Sequence, residues 1–498
     1  MVLDAVTENG APSHSSTMDA RLDLFVKTVR DVEDEYLLEL VDRSWEVDPL
    51  DTLKILFNWR DCRGGKGDYR GFLVAMVHVL KKGEAWFLAN FKAIPEYGSW
   101  LDLVKLWHMV DEVAKGEIMA CIREQIELDA EILTDDEKSR EKKSISLLAK
   151  WMPTEGCKWD RGGEKADRGG EKADRDPSFV AEFCKFKIKK AFYRKELLTP
   201  LRAHLKLVET KLCAKQFDQI DYESVPSVAM KKYRKAFLRN DKAGFEEYLA
   251  QVTKGTKTIK AGQVYPHDLV RHYLGGGAFD AVIEEQWKAI KAGVDECGAF
   301  EGAVCVCDVS GSMDGVPLQV CIALGLLGLS PGGCAREQVI TFDSRPALHK
   351  ISSAESLKEQ VRILSQIPWG GNTNFEKTMD LVLTLEGVKR VFVFSDMQFD
   401  QAFCGVSGYG AASHFDLARA KFEAAGRPMP EIVFWNLRGN TSDFPVTTDD
   451  RGVVMLAGYS PALLGALTSG GELSPLTTML GIIRGARYEK IKKPENLL

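Results

Sequence analysis

No apolar run in the chain approaches the roughly 20 residues that a membrane-spanning helix needs, so a membrane is not among the expected partners. The first 17 residues contain no Lys or Arg and carry Asp4 and Glu8. Neither the basic-then-apolar design of a secretory signal nor the Arg-rich design of a transit peptide is therefore expected there. Residues 1–19 read instead as a disordered tail. Histidine is scarce, 8 among 498 residues and dispersed. With no H-E-x-x-H, no G-x-S-x-G and no Walker loop, the commonest hydrolytic and nucleotide-binding chemistries have no anchor. The eleven cysteines include no C-x-x-C pair and no small-scaffold disulfide pattern. Cys305 and Cys307 fall inside an apolar run, where cysteine behaves as a small hydrophobe. All eleven are expected to be reduced thiols, in a cytoplasmic or nuclear protein.

What is present is ordinary in bulk, with 45% hydrophobic and 28% charged residues and a net charge of -6. The length suffices for two or more domains, each with its own core. From about residue 20 to 150 the apolar spacing is helical, as in Leu22, Phe25, Val26 and Val29. Arg60–Arg70 interrupts it with a charged glycine-rich loop. A phosphate-binding loop would need Ser or Thr directly after Lys66; Gly67 and Asp68 stand there, so a structural reversal between helices is expected. A backbone contact to RNA phosphate stays open for that loop. Helix, turn and helix continue through Trp107, in the manner of repeated helical hairpins without a countable period. Arg161–Asp167 recurs residue for residue as Arg168–Asp174. With no apolar residue beyond alanine, that stretch cannot bury a core and reads as a mobile charged loop at about 156–177.

Between Phe183 and Lys260 the charge reverses. Residues 181–260 hold roughly 19 Lys and Arg against about 9 Asp and Glu. One cluster, Lys185, Lys187, Lys189, Lys190, Arg194 and Lys195, is interleaved with Phe183, Phe186, Phe192 and Tyr193. A second comprises Lys231, Lys232, Arg234, Lys235 and Arg239, with Tyr233 and Phe237. Such runs are either solvated helix faces over buried aromatics, or an RNA surface with cations on phosphates and rings offered for stacking. The RNA-contact candidates are Lys185, Lys187, Lys189, Lys190, Arg194, Lys231, Lys232, Arg234, Lys235 and Arg239. Glycines near 275–302 place a boundary near 296, which gives a helical domain at 20–295.

From 296 to 485 the pattern alternates buried strands with helices, and residues 486–498 form a tail. Strands are predicted at Val304–Cys307, Gln338–Phe342, Arg390–Ser395 and Glu431–Asn436, with helices near 317–329, 355–366, 375–385 and 414–425. The fold class is therefore α plus α/β, an all-helical domain followed by a doubly wound parallel sheet. Two of the strands end in aspartate. Asp308 is followed by Ser310 and Ser312, Asp396 closes Val391–Ser395, and Thr373 lies in a glycine-led loop that introduces a helix. If the two strands are neighbours, two carboxylates meet at the carboxyl edge, where open α/β sheets bind ligands. A divalent cation would relieve their repulsion, and the hydroxyls offer the oxygen donors that magnesium prefers.

Asp308-Val309-Ser310-Gly311-Ser312, followed by Thr373 and Asp396, resembles the metal-ion-dependent adhesion site of von Willebrand factor type A domains. The resemblance implies that Asp308, Ser310, Ser312, Thr373 and Asp396 hold Mg2+ or Mn2+, with Asp396 acting directly or through water. It also implies a protein partner that supplies an acidic group to the ion's open position. The segments Asp61–Gly67, Tyr97–Trp100, Leu148–Pro153, Ser227–Phe237, Cys307–Met313 and Phe394–Phe399 are similar to signatures of an uncharacterised eukaryotic family. That family joins a helical, TROVE-like region to such a domain, and its layout resembles that of Ro-type RNA-binding proteins. The expectation is a non-catalytic RNA-binding protein that docks a partner through the metal, or alternatively a metal-dependent protein scaffold with no RNA role. An enzyme is not expected, because Ser310 stands where an aspartyl phosphatase of the haloacid-dehalogenase type wants its second aspartate.

Overall fold

The computed structural model describes residues 3–134, 144–162, 178–185, 192–330, 337–342, 345–367, 373–400, 413–468 and 473–495. The chain divides into two compact units, and the division does not fall at 295. The first unit takes residues 1–71, 222–238 and 245–488, and the second takes 72–221, 239–244 and 489–498. Among the described residues no strand lies between 20 and 297, so the N-terminal region is helical. Nor is any helix among them long and apolar enough to cross a membrane.

The first unit is built on a six-stranded sheet. Its strands are β3 (Ala303–Asp308), β4 (Gln338–Phe342), β5 (Ala347–Lys350), β6 (Arg390–Ser395), β7 (Glu431–Asn436) and β8 (Val453–Ala457), in the order β5-β4-β3-β6-β7-β8. All neighbours are parallel except β4 and β5. The sheet is thus mixed, with an antiparallel edge, where an all-parallel one was expected. Every residue of β3 and β8 is buried, and continuous apolar runs are what a sheet covered on both faces requires. After β3 the chain crosses to β4 on one side and later returns to β6 on the other, so β3 and β6 flank the switch point of the sheet.

The helix Val316–Leu327, which follows β3, lies almost wholly buried on the sheet. Two glycines allow that approach. A Cβ at Gly325 would stand 2.3 Å from Cys307 Sγ, and one at Gly328 would stand 2.3 Å from Cys305 Sγ.

The amino-terminal residues belong to this unit. Helices Ala20–Lys27, Asp34–Val47 and Pro49–Arg60 are tied to the sheet and its flank. Asn436 Nδ2 donates to the Val26 carbonyl at 3.1 Å, and Gly439 N donates to Asp31 at 2.8 Å. Buried Asp61 takes a two-pronged contact from Arg487 at 2.8 and 2.9 Å, and Tyr488 adds a third bond at 3.2 Å. Residues 1–19, expected as a disordered tail, instead carry an ordered hairpin of β1 (Ala5–Val6) and β2 (Pro12–Ser13). An extra backbone pairing, His14 with Phe444, holds it in place. Residues 486–488 likewise form a 3-10 turn rather than a loose tail.

Among the described residues of the second unit the regular elements are all helices. Ser99 and Asp102 form a capping box at the start of Trp100–Trp107, which satisfies the first free amides of that helix. Asp160 closes the base of the charged loop, accepting from Gly156 N at 2.7 Å, Ser178 Oγ at 2.5 Å and Val180 N at 2.9 Å. The duplicated residues 163–174 lie outside the described residues. Arg202 caps the Leu148–Trp151 turn by donating to the Ala149 and Met152 carbonyls, both at 2.8 Å. In the same unit the 489–495 stretch is fixed, since Asn90 and Lys492 exchange bonds at 2.9 and 2.8 Å.

Candidate metal centre

Asp308 is the last residue of β3 and Asp396 follows the last residue of β6. The two strands are hydrogen-bonded neighbours with Cys307 opposite Phe394. Both carboxylates therefore emerge at the same edge of the sheet, and both residues are fully buried. Ser310 and Thr373 are buried there as well, and Ser312 is half-buried.

The hydrogen bonds at this edge leave oxygen lone pairs unspent. Asp308 Oδ1 accepts from Ser310 N at 3.0 Å, and Oδ2 accepts from Ser395 Oγ at 2.5 Å. Ser310 Oγ and Ser312 Oγ lie 3.0 Å apart, one hydroxyl donating to the other. Thr373 Oγ1 donates to the Gln398 carbonyl at 2.6 Å, which points its proton away and leaves its lone pairs free. Asp396 Oδ1 accepts from Gln398 N at 3.1 Å, whereas Asp396 Oδ2 is buried with no hydrogen-bond partner. A buried, unpartnered carboxylate oxygen is costly, and such an atom calls for a ligand, a water or an ion.

Burial pushes the Asp308 carboxyl up to about 7, and the neighbouring charge of Asp396 adds to the effect. A cation would reverse both penalties. The donor set of two carboxylates and three hydroxyls is all oxygen, which suits a hard ion such as Mg2+ or Mn2+ and disfavours zinc. No group of three or more His, Cys, Asp or Glu with metal-binding geometry occurs among the described residues. Any ion here would consequently lean on the hydroxyls.

Sequence reasoning missed several residues around this edge. Ser395 grips Asp308, and the polar signal for it was the hydroxyl directly before the strand-ending aspartate. Gln398 links three elements, with its Nε2 donating to Asp443 Oδ1 at 2.8 Å. Lys27 is wholly buried, and its Nζ donates to Thr441 Oγ1 at 2.7 Å and to the Asp443 carbonyl at 2.8 Å. Burial brings its ammonium down to about 8, against the pull of Asp443, Asp23 and Asp396.

The basic clusters divide differently from the expectation. Lys187, Lys189 and Lys190 lie outside the described residues. Lys185 pairs with Glu182 at 2.5 Å, and Arg194 is exposed. In the second cluster Lys231 is held by Asp268 at 3.0 Å and Arg234 by Asp280 at 2.5 Å. These two are engaged in holding the helix Ser227–Asn240 to its neighbours, while Lys232, Lys235 and Arg239 face solvent. The interleaved rings Phe183, Tyr193 and Phe237 are core residues and present no stacking face; Phe192 is exposed. Lys185 and Arg194 belong to one compact unit, and Lys231–Lys235 to the other.

The loop at 60–70 is structural. Lys66 N donates to the Asn58 carbonyl at 3.0 Å, and Asp68 N to that of Trp59 at 2.9 Å. The Lys66 side chain is buried, its Nζ donating to Thr28 Oγ1 at 2.7 Å and to the Phe25 carbonyl. It is not presented to any phosphate.

Residues 7–119 and 113–300 match the family described as domain of unknown function DUF2828. The chain belongs to the DUF2828 family. Residues 302–479 of this DUF2828 protein match a second family, domain of unknown function DUF7788. It is 32% identical to Uncharacterized protein L728 of Acanthamoeba polyphaga mimivirus, over 96% of this chain and 86% of that one. Among solved structures it is similar to the Ro (RSR) protein of Deinococcus radiodurans, with a TM-score of 0.36 and 15% identity. That alignment covers 94% of this chain and all of the other, a likeness too slight to transfer fold detail or function.

Proposed function

We propose that this DUF2828 protein is a non-catalytic docking protein. On this reading its sheet edge is that of a von Willebrand factor type A-like domain, holding Mg2+ or Mn2+ through Asp308, Ser310, Ser312 and Thr373, with Asp396 acting directly or through water. The ion supplies a Lewis-acid position to which an acidic group of a protein partner binds. The observation that carries the reading is the buried, unpartnered Asp396 Oδ2 beside the second buried carboxylate of Asp308. Calorimetric titration of the full chain with Mn2+ tests it. Saturable binding that Asp308→Ala abolishes is the expected result, and equal binding by both proteins would refute the assignment. Ser310→Ala should weaken binding less, since a neutral oxygen ligand contributes less than a carboxylate.

RNA binding is a second reading, supported by the exposed cations Arg194, Lys232, Lys235 and Arg239. Retention of labelled structured RNA by the full chain across a salt series checks it. Counterion release predicts a steep loss of affinity with salt. Lys232→Glu with Lys235→Glu should flatten that slope, and no retention at low salt leaves the protein-docking scaffold alone.

A further inference from the structure

The amino-terminal hairpin reaches the rim of the candidate metal centre. Thr7 Oγ1 donates to the Phe399 carbonyl at 2.7 Å, Glu8 N donates to Gln398 Oε1 at 2.6 Å, and Asn9 Nδ2 donates to the Gln398 carbonyl at 2.7 Å. Gly10 pairs with Asp400 as a backbone bridge. The stretch it grips, Gln398–Asp400, is the one that serves the centre. The Gln398 amide holds Asp396 Oδ1, the Gln398 carbonyl takes the Thr373 proton at 2.6 Å, and Asp400 N donates to the Thr373 carbonyl at 2.9 Å. Asn9 and Thr373 thus share one carbonyl oxygen, whose two lone pairs are both used. Below the tip, Ser13 Oγ donates to Asp443 Oδ2 at 2.9 Å, and Asp443 Oδ1 receives the Gln398 side chain.

We propose that the Thr7–Gly10 turn and Gln398 are positioning residues of the metal centre, fixing the loop so that Thr373 and Asp396 present free oxygen to the ion. This rests on the metal reading above. The ion is asked to bind two ligands from different loops, Thr373 ahead of its helix and Asp396 after β6. Neither loop is regular structure at the ligand, so its geometry depends on what holds the backbone. The hairpin supplies that hold from the far end of the chain, and Gln398 is the residue through which both ligands feel it. Partners of ligands in metal sites commonly change affinity by about 10- to 100-fold when removed.

The test measures Mn2+ affinity of the full chain from the electron paramagnetic resonance signal of free ion, beside the unfolding midpoint of metal-free protein. Wild type, Asp308→Ala, Asn9→Ala, Thr7→Val and Thr7→Ser are compared. Ser15→Ala serves as a control in the same segment, because Ser15 bonds only to Asp4 among the hairpin contacts described. Asn9→Ala and Thr7→Val are expected to weaken binding about 10-fold, with Thr7→Ser and Ser15→Ala close to wild type. A merely structural hairpin would lower the unfolding midpoint and leave the affinity of the folded protein unchanged. Equal affinity in wild type, Asn9→Ala and Thr7→Val, or a Thr7→Ser as weak as Thr7→Val, overturns the inference and leaves the metal reading standing. No Mn2+ binding by wild type removes the metal reading, and the inference with it.

Discussion

Asp308 and Asp396 show how a pair of buried carboxylates is a burden until something shares their charge. Without metal, Asp308 keeps one charge-stabilising bond per oxygen and still suffers from burial and from its neighbour. Asp308→Asn should therefore leave the metal-free unfolding midpoint equal to or above that of wild type. It should also abolish the rise in midpoint that millimolar Mn2+ gives wild type through preferential binding to the folded state. Thermal scans with and without Mn2+ decide this, and a midpoint rise retained by the mutant contradicts it. Lys27 offers a pH signature. Its folded pKa of about 8 lies below the ordinary 10.5, so across that window the unfolded chain binds more protons and stability rises with pH. Lys27→Met should lose this rise. Denaturant midpoints of the two proteins, compared across pH 8 to 10 at fixed salt, report the difference.

At the level of elements, the meeting of the Val316–Leu327 helix with β3 is set by absent side chains. Gly325→Ala would drive a methyl into Cys307 Sγ. A destabilisation of about 1–3 kcal/mol is expected for such overpacking. Cys307→Ala in the same protein should recover much of the loss, and a double-mutant cycle by urea unfolding measures the coupling. The strands legible in sequence were those with long doubly buried runs, such as Val391–Ser395 and Ile432–Asn436. β5 escaped because it is a half-exposed edge of four residues, Ala347–Lys350, whose burial gives no clear alternation. The apolar run Val453–Ala457 carried enough signal for a strand and lacked only a helix before it to suggest a further crossover. The hairpin was signalled too. Asn9-Gly10 is a turn-forming dipeptide, and Gly10 closes the five-residue connection 7–11 with a positive φ of 83°, the left-handed position that longer hairpin loops place after a turn. Two-residue strands are too short for periodicity to reveal. The five proposed ligands were legible because strand ends and hydroxyl spacing are local. Gln398, Asp443 and Lys27 were not, because their roles exist only through contacts between distant parts of the chain.

Taken whole, the first compact unit is discontinuous in sequence. Residues 3–71 cover and anchor the sheet, through Val26 on Asn436, Asp31 on Gly439 and Asp61 on Arg487. A fragment of residues 297–498 alone should consequently expose apolar surface, bind a hydrophobic dye such as ANS and unfold without a sharp transition. Adding residues 1–71 as a separate chain should suppress the dye signal, and a cooperative, dye-silent 297–498 fragment would count against this architecture. The hairpin carries a consequence for biosynthesis. Its partner Gln398 is 390 residues downstream of Glu8, and at about 5–20 residues per second a ribosome needs on the order of 20–80 s to make that span. The Thr7–Gly10 turn leaves the ribosome long before anything exists for it to clasp, so the rim is completed only after Gln398 has been made.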